Sequence, residues 1–272
     1  MTIERPVLRW FGGKYMLAPW IIEHMPPHRI YTEAFGGAAS VLMRKPRAYA
    51  EIYNDLEQEV VNVFRVLRSR VLSQRLERSL RLTPFARDEF ERCYGKERRP
   101  VEKARRTIIR SFMGFGSNSA NPLMVTGFRA NSMRSGTTPA HDWANYPDEV
   151  RGFCERLTGV TIENRDALDV MKQHDSSETL HFVDPPYDPA TRSDRHSYRH
   201  EMGASQHEVL VSALKELRGM VLLCGYDTPL YASLGWERIE RRALADGARE
   251  RTEVLWMNPS CVAAQSQVRM AL

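Results

Sequence analysis

Seven short apolar or alternating runs punctuate the chain, at residues 29–35, 48–53, 160–164, 179–183, 220–225, 236–239 and 252–257. Most are rich in Val, Ile, Leu, Phe or Tyr and are bounded by Gly, Pro, Asp or Asn, which predicts strands. Between several of them the apolar spacing becomes helical. Residues 38–45 carry a short helical pattern. Residues 56–82 carry a long one, with Val60, Val63, Phe64 and Leu67 on one side. Residues 205–217 place Val209, Leu210, Ala213, Leu214 and Leu217 on one stripe. Strand alternating with helix predicts an α/β fold in which helices wrap a mostly parallel sheet.

The alternation breaks once. From about residue 66 to 157 the chain has basic helical sequence and then a loop-like stretch, 114–147, rich in Gly, Ser, Asn, Thr and Pro. A structureless loop of that length argues for a functional element or a subdomain. The expected organisation is a split α/β domain, residues 1–65 and 158–272, with a mainly helical module, 66–157, inserted between.

Composition narrows the class. The chain has 272 residues, 42% hydrophobic and 27% charged, which suits a folded domain with a substantial core rather than a disordered polymer. No run of eighteen apolar residues occurs, and the N-terminus lacks the basic-then-apolar order of a signal peptide, so a cytoplasmic protein is expected. Cys93, Cys154, Cys224 and Cys261 stand far apart, and the eight histidines show no ligand spacing, so neither a disulfide framework nor a metal site is expected. The net charge is only +5. Its distribution says more: residues 65–110 hold fifteen Lys and Arg against six Asp and Glu. Such a block suits either a polyanion-facing surface or a solvated helical face.

Asp184-Pro185-Pro186-Tyr187 is the sharpest motif. It follows an apolar strand, so its side chains project from a strand's carboxyl end, where open α/β sheets bind ligands. Two prolines fix the backbone and leave the Pro185 carbonyl as an acceptor. A carboxylate, a fixed carbonyl and an aromatic ring suit a flat ring bearing an exocyclic amine. Upstream, Phe35-Gly36-Gly37-Ala38-Ala39-Ser40 is a glycine turn expected to open a helix and let a ligand approach the backbone. Asn54-Asp55 ends the next strand, and Asp166 follows the third. Acids at strand ends beside a glycine turn suit an adenosine pocket.

Together, Trp10-x-Gly12-Gly13-Lys14, Glu33-x-Phe35-x-Gly37, Asn54-Asp55, Asp184-Pro185-Pro186-Tyr187, Leu222-Leu223-Cys224-Gly225-Tyr226 and Arg251-x-Glu253-Val254-Leu255 resemble the Dam-like (D12) class of DNA adenine-N6 methyltransferases of bacteria and phages. The resemblance spans nearly the whole chain. It implies a Rossmann-like, seven-stranded S-adenosylmethionine-dependent methyltransferase sheet with an inserted, mainly helical target-recognition domain. It places Trp10, Gly12 and Lys14 at the methionine end of S-adenosylmethionine, Glu33, Phe35 and Gly37 along the cofactor, Asp55 on the ribose and Asp166 on the adenine amine. Asp184, Pro185, Pro186 and Tyr187 would receive the target adenine. The sequence departs from the family pattern at Ala34, Ala39 and Gln206, and Gln206 leaves His207 without an assigned role.

Two acceptors on the amine of adenine favour a pyramidal N6 aimed at the sulfonium methyl, so position and electrostatics suffice. A paired base cannot reach such a pocket and must be flipped out of double-stranded DNA. Within the insertion, Arg98, Arg99, Arg105 and Arg106 are expected to face phosphates, and Arg129, Asn131 and Arg134 to read bases from a hairpin over 126–138. A monomer is expected. Two alternatives remain at this stage: a DNA-binding protein with a decayed site, or a methyltransferase acting on RNA or on protein glutamine.

Overall fold

In the computed structural model, which describes residues 3–121, 124–133, 136–187, 199–244 and 250–270, all seven runs are strands of one sheet. They are β1 (Ile30–Glu33), β2 (Ala50–Asn54), β3 (Val160–Glu163), β4 (Thr179–Val183), β5 (Met220–Gly225), β6 (Glu237–Leu244) and β7 (Glu250–Met257). Their spatial order is β3-β2-β1-β4-β5-β7-β6. The first five are mutually parallel, and β7 runs antiparallel between β5 and β6. This is the mixed α/β, Rossmann-like sheet that the resemblance implies. The chain winds outward one way from β1 and the other way from β4. The crevice at their carboxyl ends is therefore the topological switch point, where such sheets bind ligands.

Period-two alternation decides which side chain faces which helix layer. Leu222 and Cys224 of β5 enter one core cluster with Leu255 and Met257 of β7. Val221 and Leu223 enter a second cluster with Val254 and Trp256. The first face is covered by α1 (Ala18–Glu23), α2 (Gln58–Arg68) and α10 (Pro259–Met270); the second by α7 (Ala167–Gln173), α8 (Ala204–Glu216) and α9 (Pro229–Ala232).

Residues 66–157 are largely helical: the end of α2, then α3 (Arg70–Arg81), α4 (Arg87–Glu91), α5 (Pro100–Met113), a single 3-10 turn (Ser117–Ala120) and α6 (Pro139–Leu157). They do not build a separate core. Leu76, Phe90, Ile108, Phe112, Trp143 and Phe153 belong to the same buried cluster as Tyr31, Leu180 and Phe182 of the sheet. The N-terminal segment is stitched to these helices. Tyr146 Oη donates to Val7 O at 2.7 Å, and Arg9 exchanges two bonds with Ser111 Oγ at 2.7 and 3.0 Å. The helical block thus holds the loop that begins at Trp10.

Three predicted elements differ from the structure. Residues 38–45 form consecutive turns rather than a helix. Gly37 and Ala39 both take left-handed φ, +47° and +52°, which stops a right-handed helix from propagating. The backbone N–H of Leu42 is instead taken by the Glu33 carboxylate at 2.8 Å. The long helix over 56–82 is two helices broken at Ser69, whose ψ of 116° is extended and whose Oγ caps α3 by accepting from Leu72 N. The long loop is shorter than expected, because α6 starts at Pro139 and carries Pro147 in its interior. Thr138 caps α6, accepting from His141 N, and supplies the start signal.

Candidate active site

A cavity of about 230 Å³ opens at the carboxyl ends of β1, β2 and β4. Trp10, Gly12, Lys14, Glu33, Phe35, Gly37 and Asp55 of the expected cofactor set all line it, as do Asp184 and Pro186 of the tetrapeptide. Asp166 does not. It caps α7, accepting from Leu168 N at 2.8 Å and Asp169 N at 3.4 Å, with its side chain in solvent, while its neighbour Ala167 lines the wall.

The floor is the turn after β1. Gly36 N donates to Asn54 O at 2.8 Å, and a Cβ on Gly36 would lie 2.2 Å from the Tyr53 ring, so only glycine lets the two strand ends meet this closely. Tyr53 Oη donates to Gly37 O at 2.7 Å. Asp55 completes the clamp: Oδ2 accepts from Gly37 N at 2.8 Å and Oδ1 from Glu57 N at 2.7 Å. Burial pushes the Asp55 carboxyl up, while those two amides pull it down.

Glu57 is a residue the sequence reading missed. It caps α2 by accepting from Glu59 N at 3.0 Å through Oε1, and Arg199 lies 3.5 Å from the same oxygen. Its Oε2 is buried, without a hydrogen-bond partner, and the residue lines the cavity. A buried unpaired carboxylate oxygen is costly and calls for a donor. Arg199, His200, Glu201 and Met202 cover the same cavity from the segment leading into α8.

Asp184 stands at the end of β4 with its side chain 15% exposed. Burial raises its carboxyl to about 6, against the pull of Lys14. Lys14 Nζ lies 2.9 Å from Asp184 Oδ1, donates to Gly12 O at 2.9 Å and sits 4.8 Å above the Tyr187 ring. Glu33 is buried deeper still. It accepts from Tyr31 Oη and Leu42 N at 2.8 Å each, and burial takes it to about 8, so it is largely protonated at neutral pH. The tyrosine of the tetrapeptide is held from β7 and β5: Tyr187 Oη donates to Glu253 Oε2 at 2.7 Å, and the ring meets Tyr226 edge-on at 4.4 Å. Gln206 lines the cavity and its Oε1 accepts from Gly203 N at 2.9 Å. His207 Nδ1 bonds Tyr231 Oη at 2.9 Å in the interior between α8 and α9, a packing role.

The basic residues of the insertion divide by environment. Arg98 and Arg99 are exposed, Arg99 pairing with Glu97 at 2.9 Å. Arg105 is 18% exposed and already meets Glu102, Glu89 and Thr83, and Arg106 meets Glu102 and Glu97. Neither is an open cation. Past α5, Phe115 N donates to Gly127 O at 2.8 Å and Arg129 N to Met113 O at 2.7 Å, closing a short hairpin-like loop. Arg129 is half-buried at its base, Asn131 is exposed, and Arg134 lies outside the described residues. Among the described residues there is no group of three or more His, Cys, Asp or Glu side chains able to hold a metal, and no helix long and apolar enough to cross a membrane.

Residues 10–222 match the family model of the D12 class N6 adenine-specific DNA methyltransferases. The DNA adenine methylase of Serratia marcescens is 25% identical over 241 residues, covering 85% of this chain and 86% of that protein. That of Salmonella typhi is 24% identical, covering 85% and 84%. That of Haemophilus influenzae is 24% identical, covering 92% and 91%.

Proposed function

The chain belongs to the D12 class of N6 adenine-specific DNA methyltransferases, and from that membership we propose that it methylates adenine N6 in double-stranded DNA, with S-adenosylmethionine as donor and the cavity at the switch point as the site of transfer. The observation that carries this reading is Asp184, a half-buried carboxylate just past β4 that shares the cavity wall with the glycine turn.

The residues fit the cofactor by their chemistry. The Gly36-Gly37 turn lines the cavity wall, Lys14 supplies a cation near the tetrapeptide, and Asp55 and the unpartnered Glu57 Oε2 supply acceptors for ribose hydroxyls. Trp10, Gly12, Glu33 and Phe35 complete the wall. When bound, S-adenosylmethionine would supply an electrophilic methyl on a sulfonium that leaves as a thioether, and the proton displaced from N6 would pass to the Asp184 carboxylate that holds it. Asp184 and the Pro185 carbonyl accept the amine hydrogens and turn the N6 lone pair outward. Tyr187 stacks on the extruded base and offsets part of its unstacking. No residue of the chain forms a covalent intermediate.

We assign residues 66–157 to target recognition, with Arg98 and Arg99 toward the phosphates and Arg129, Asn131 and Arg134 toward base edges. We infer that the chain works in the cytoplasm of a bacterium, host- or phage-encoded, on DNA and as a monomer. Methylation-sensitive sequencing of DNA from a methylase-free host tests the reading. The native chain should mark adenines in one short motif, and Asp184→Ala should mark none. Unmodified adenine under native expression, or undiminished marking by Asp184→Ala, would overturn it.

A further inference from the structure

The tetrapeptide accounts for the base-facing groups but not for what holds its tyrosine. The plane of its ring is fixed from outside the loop. Residues 250–253 of β7 run past the carboxyl end of β5, because Gly225, the last residue of β5, pairs with Val254. The next position, Glu253, lies beyond that end, on the same face as Leu255 and so on the side of Cys224. From there its Oε2 accepts the Tyr187 hydroxyl at 2.7 Å, with Tyr226 edge-on to the ring at 4.4 Å.

This is a poor place for a carboxylate on packing grounds. Glu253 is only 8% exposed, sits beside the buried Cys224, and adds its charge to the field that raises Asp184. An apolar side chain of similar size would avoid the desolvation of a charge. What the carboxylate provides is one short, directional bond to a phenol.

We propose that Glu253 is a positioning residue for methyl transfer: its hydrogen bond to Tyr187 Oη holds the ring in the plane on which the flipped adenine stacks. The proposal rests on the reading of Asp184 and Tyr187 as the adenine site. A misplaced base loses alignment between N6 and the methyl group, so the loss falls on the chemical step. The donor's affinity is left alone, because Glu253 does not line the cavity.

The test is single-turnover methylation of unmodified plasmid DNA with tritiated S-adenosylmethionine and enzyme in excess, which requires no knowledge of the target motif. Glu253→Ala should slow transfer roughly 10- to 100-fold with an unchanged dissociation constant for the donor. Glu253→Gln, which keeps an acceptor oxygen, should recover most of that loss. Tyr187→Phe breaks the same bond from the other end, and adding Glu253→Ala to it should slow transfer little further. Glu253→Gln should also move the acidic limb of the rate profile to lower pH, because removing a neighbouring negative charge lets Asp184 ionise more easily. A native rate in Glu253→Ala, or full additivity with Tyr187→Phe, overturns the proposal. If Glu253→Ala does not fold, Glu253→Gln and Tyr187→Phe decide: a Tyr187→Phe rate equal to the native one overturns it. Absence of transfer by the native enzyme would instead overturn the underlying reading of the site.

Discussion

Lys14 Nζ lies 2.9 Å from Asp184 Oδ1, so in the structure the cation of the N-terminal loop sits against the carboxylate expected to receive the adenine amine. A residue expected at the methionine end of the cofactor thereby joins both halves of the site. The ammonium keeps ionised a carboxyl that burial raises to about 6.

A pH dependence follows. Ionised Asp184 is the stronger acceptor for an amine hydrogen and the one able to take a proton from N6, so transfer should fall as pH drops through about 6. Lys14→Met removes the charge that lowers this group, and the acidic limb should move to higher pH by on the order of 1 unit. Single-turnover rates measured from pH 5 to 8.5 at saturating donor check it. A limb that stays in place would mean that the ion pair does not govern Asp184.

Much of this was legible in the sequence because it follows from local periodicity and from chemistry at strand ends. All seven strand runs were readable, and so was the position of Asp184 after β4, since alternation and punctuation depend on neighbouring residues. What failed depended on distant partners. The pattern over 38–45 reads as helix, yet the Glu33 carboxylate takes Leu42 N and two left-handed residues break the spiral. Asp166 is the local exception: it reads as a pocket acid, and its side chain caps α7 through Leu168 N and Asp169 N. Glu57 and Glu253 become visible as site residues only once α2 and β7 are placed in space, although Glu253 lies inside a motif that the sequence does show.

The ribose assignment separates two neighbouring acids. Both Asp55 oxygens already accept backbone amides, so Asp55→Ala should loosen the glycine turn as well as the ligand. Glu57 Oε2 has no partner to lose. Glu57→Ala should therefore weaken S-adenosylmethionine by about 1–3 kcal/mol, and should reduce discrimination between S-adenosylhomocysteine and its 2′- and 3′-deoxy analogues. Calorimetric titration reads both. Undiminished discrimination in Glu57→Ala would return the hydroxyls to Asp55 alone.

The closeness of β1 and β2 at the turn makes a stability prediction. Gly36→Ala would drive a methyl to 2.2 Å from the Tyr53 ring and 2.9 Å from Asn54 O, and neither neighbour is free to move. The expected cost is about 1–3 kcal/mol, with weaker donor binding. Gly127→Ala, where a Cβ meets nothing within 4 Å, is the matched control. Thermal denaturation with and without S-adenosylhomocysteine compares them. Equal melting temperatures would show that the turn relaxes without strain.

DNA recognition should divide along the environments of the basic residues rather than along their spacing in sequence. Arg98 and Arg99 are exposed, so a phosphate can meet either guanidinium without breaking a buried network. Arg98→Ala should reduce the slope of log affinity against log salt by about 0.9, one phosphate contact, for every DNA sequence alike. Arg105 is different, because its guanidinium already joins α5 to Glu89 of α4 and to Thr83. Arg105→Ala should leave the salt slope unchanged and lower stability by about 1–3 kcal/mol, as partly buried partners lose their donor. The loop beyond α5 should behave in a third way. Its base is pinned by the bonds Phe115 N to Gly127 O and Arg129 N to Met113 O, so residues just past it are held in a defined direction. Arginine pairs with guanine and asparagine with adenine through two hydrogen bonds, worth about 1–3 kcal/mol of discrimination per base. Arg129→Ala or Asn131→Ala should therefore relax the methylated motif at one position while leaving the salt slope and the melting temperature near native. Methylome sequencing of the two loop variants, beside salt titrations of the two helical ones, distinguishes the three behaviours. An unaltered motif in both loop variants would move base reading away from this loop.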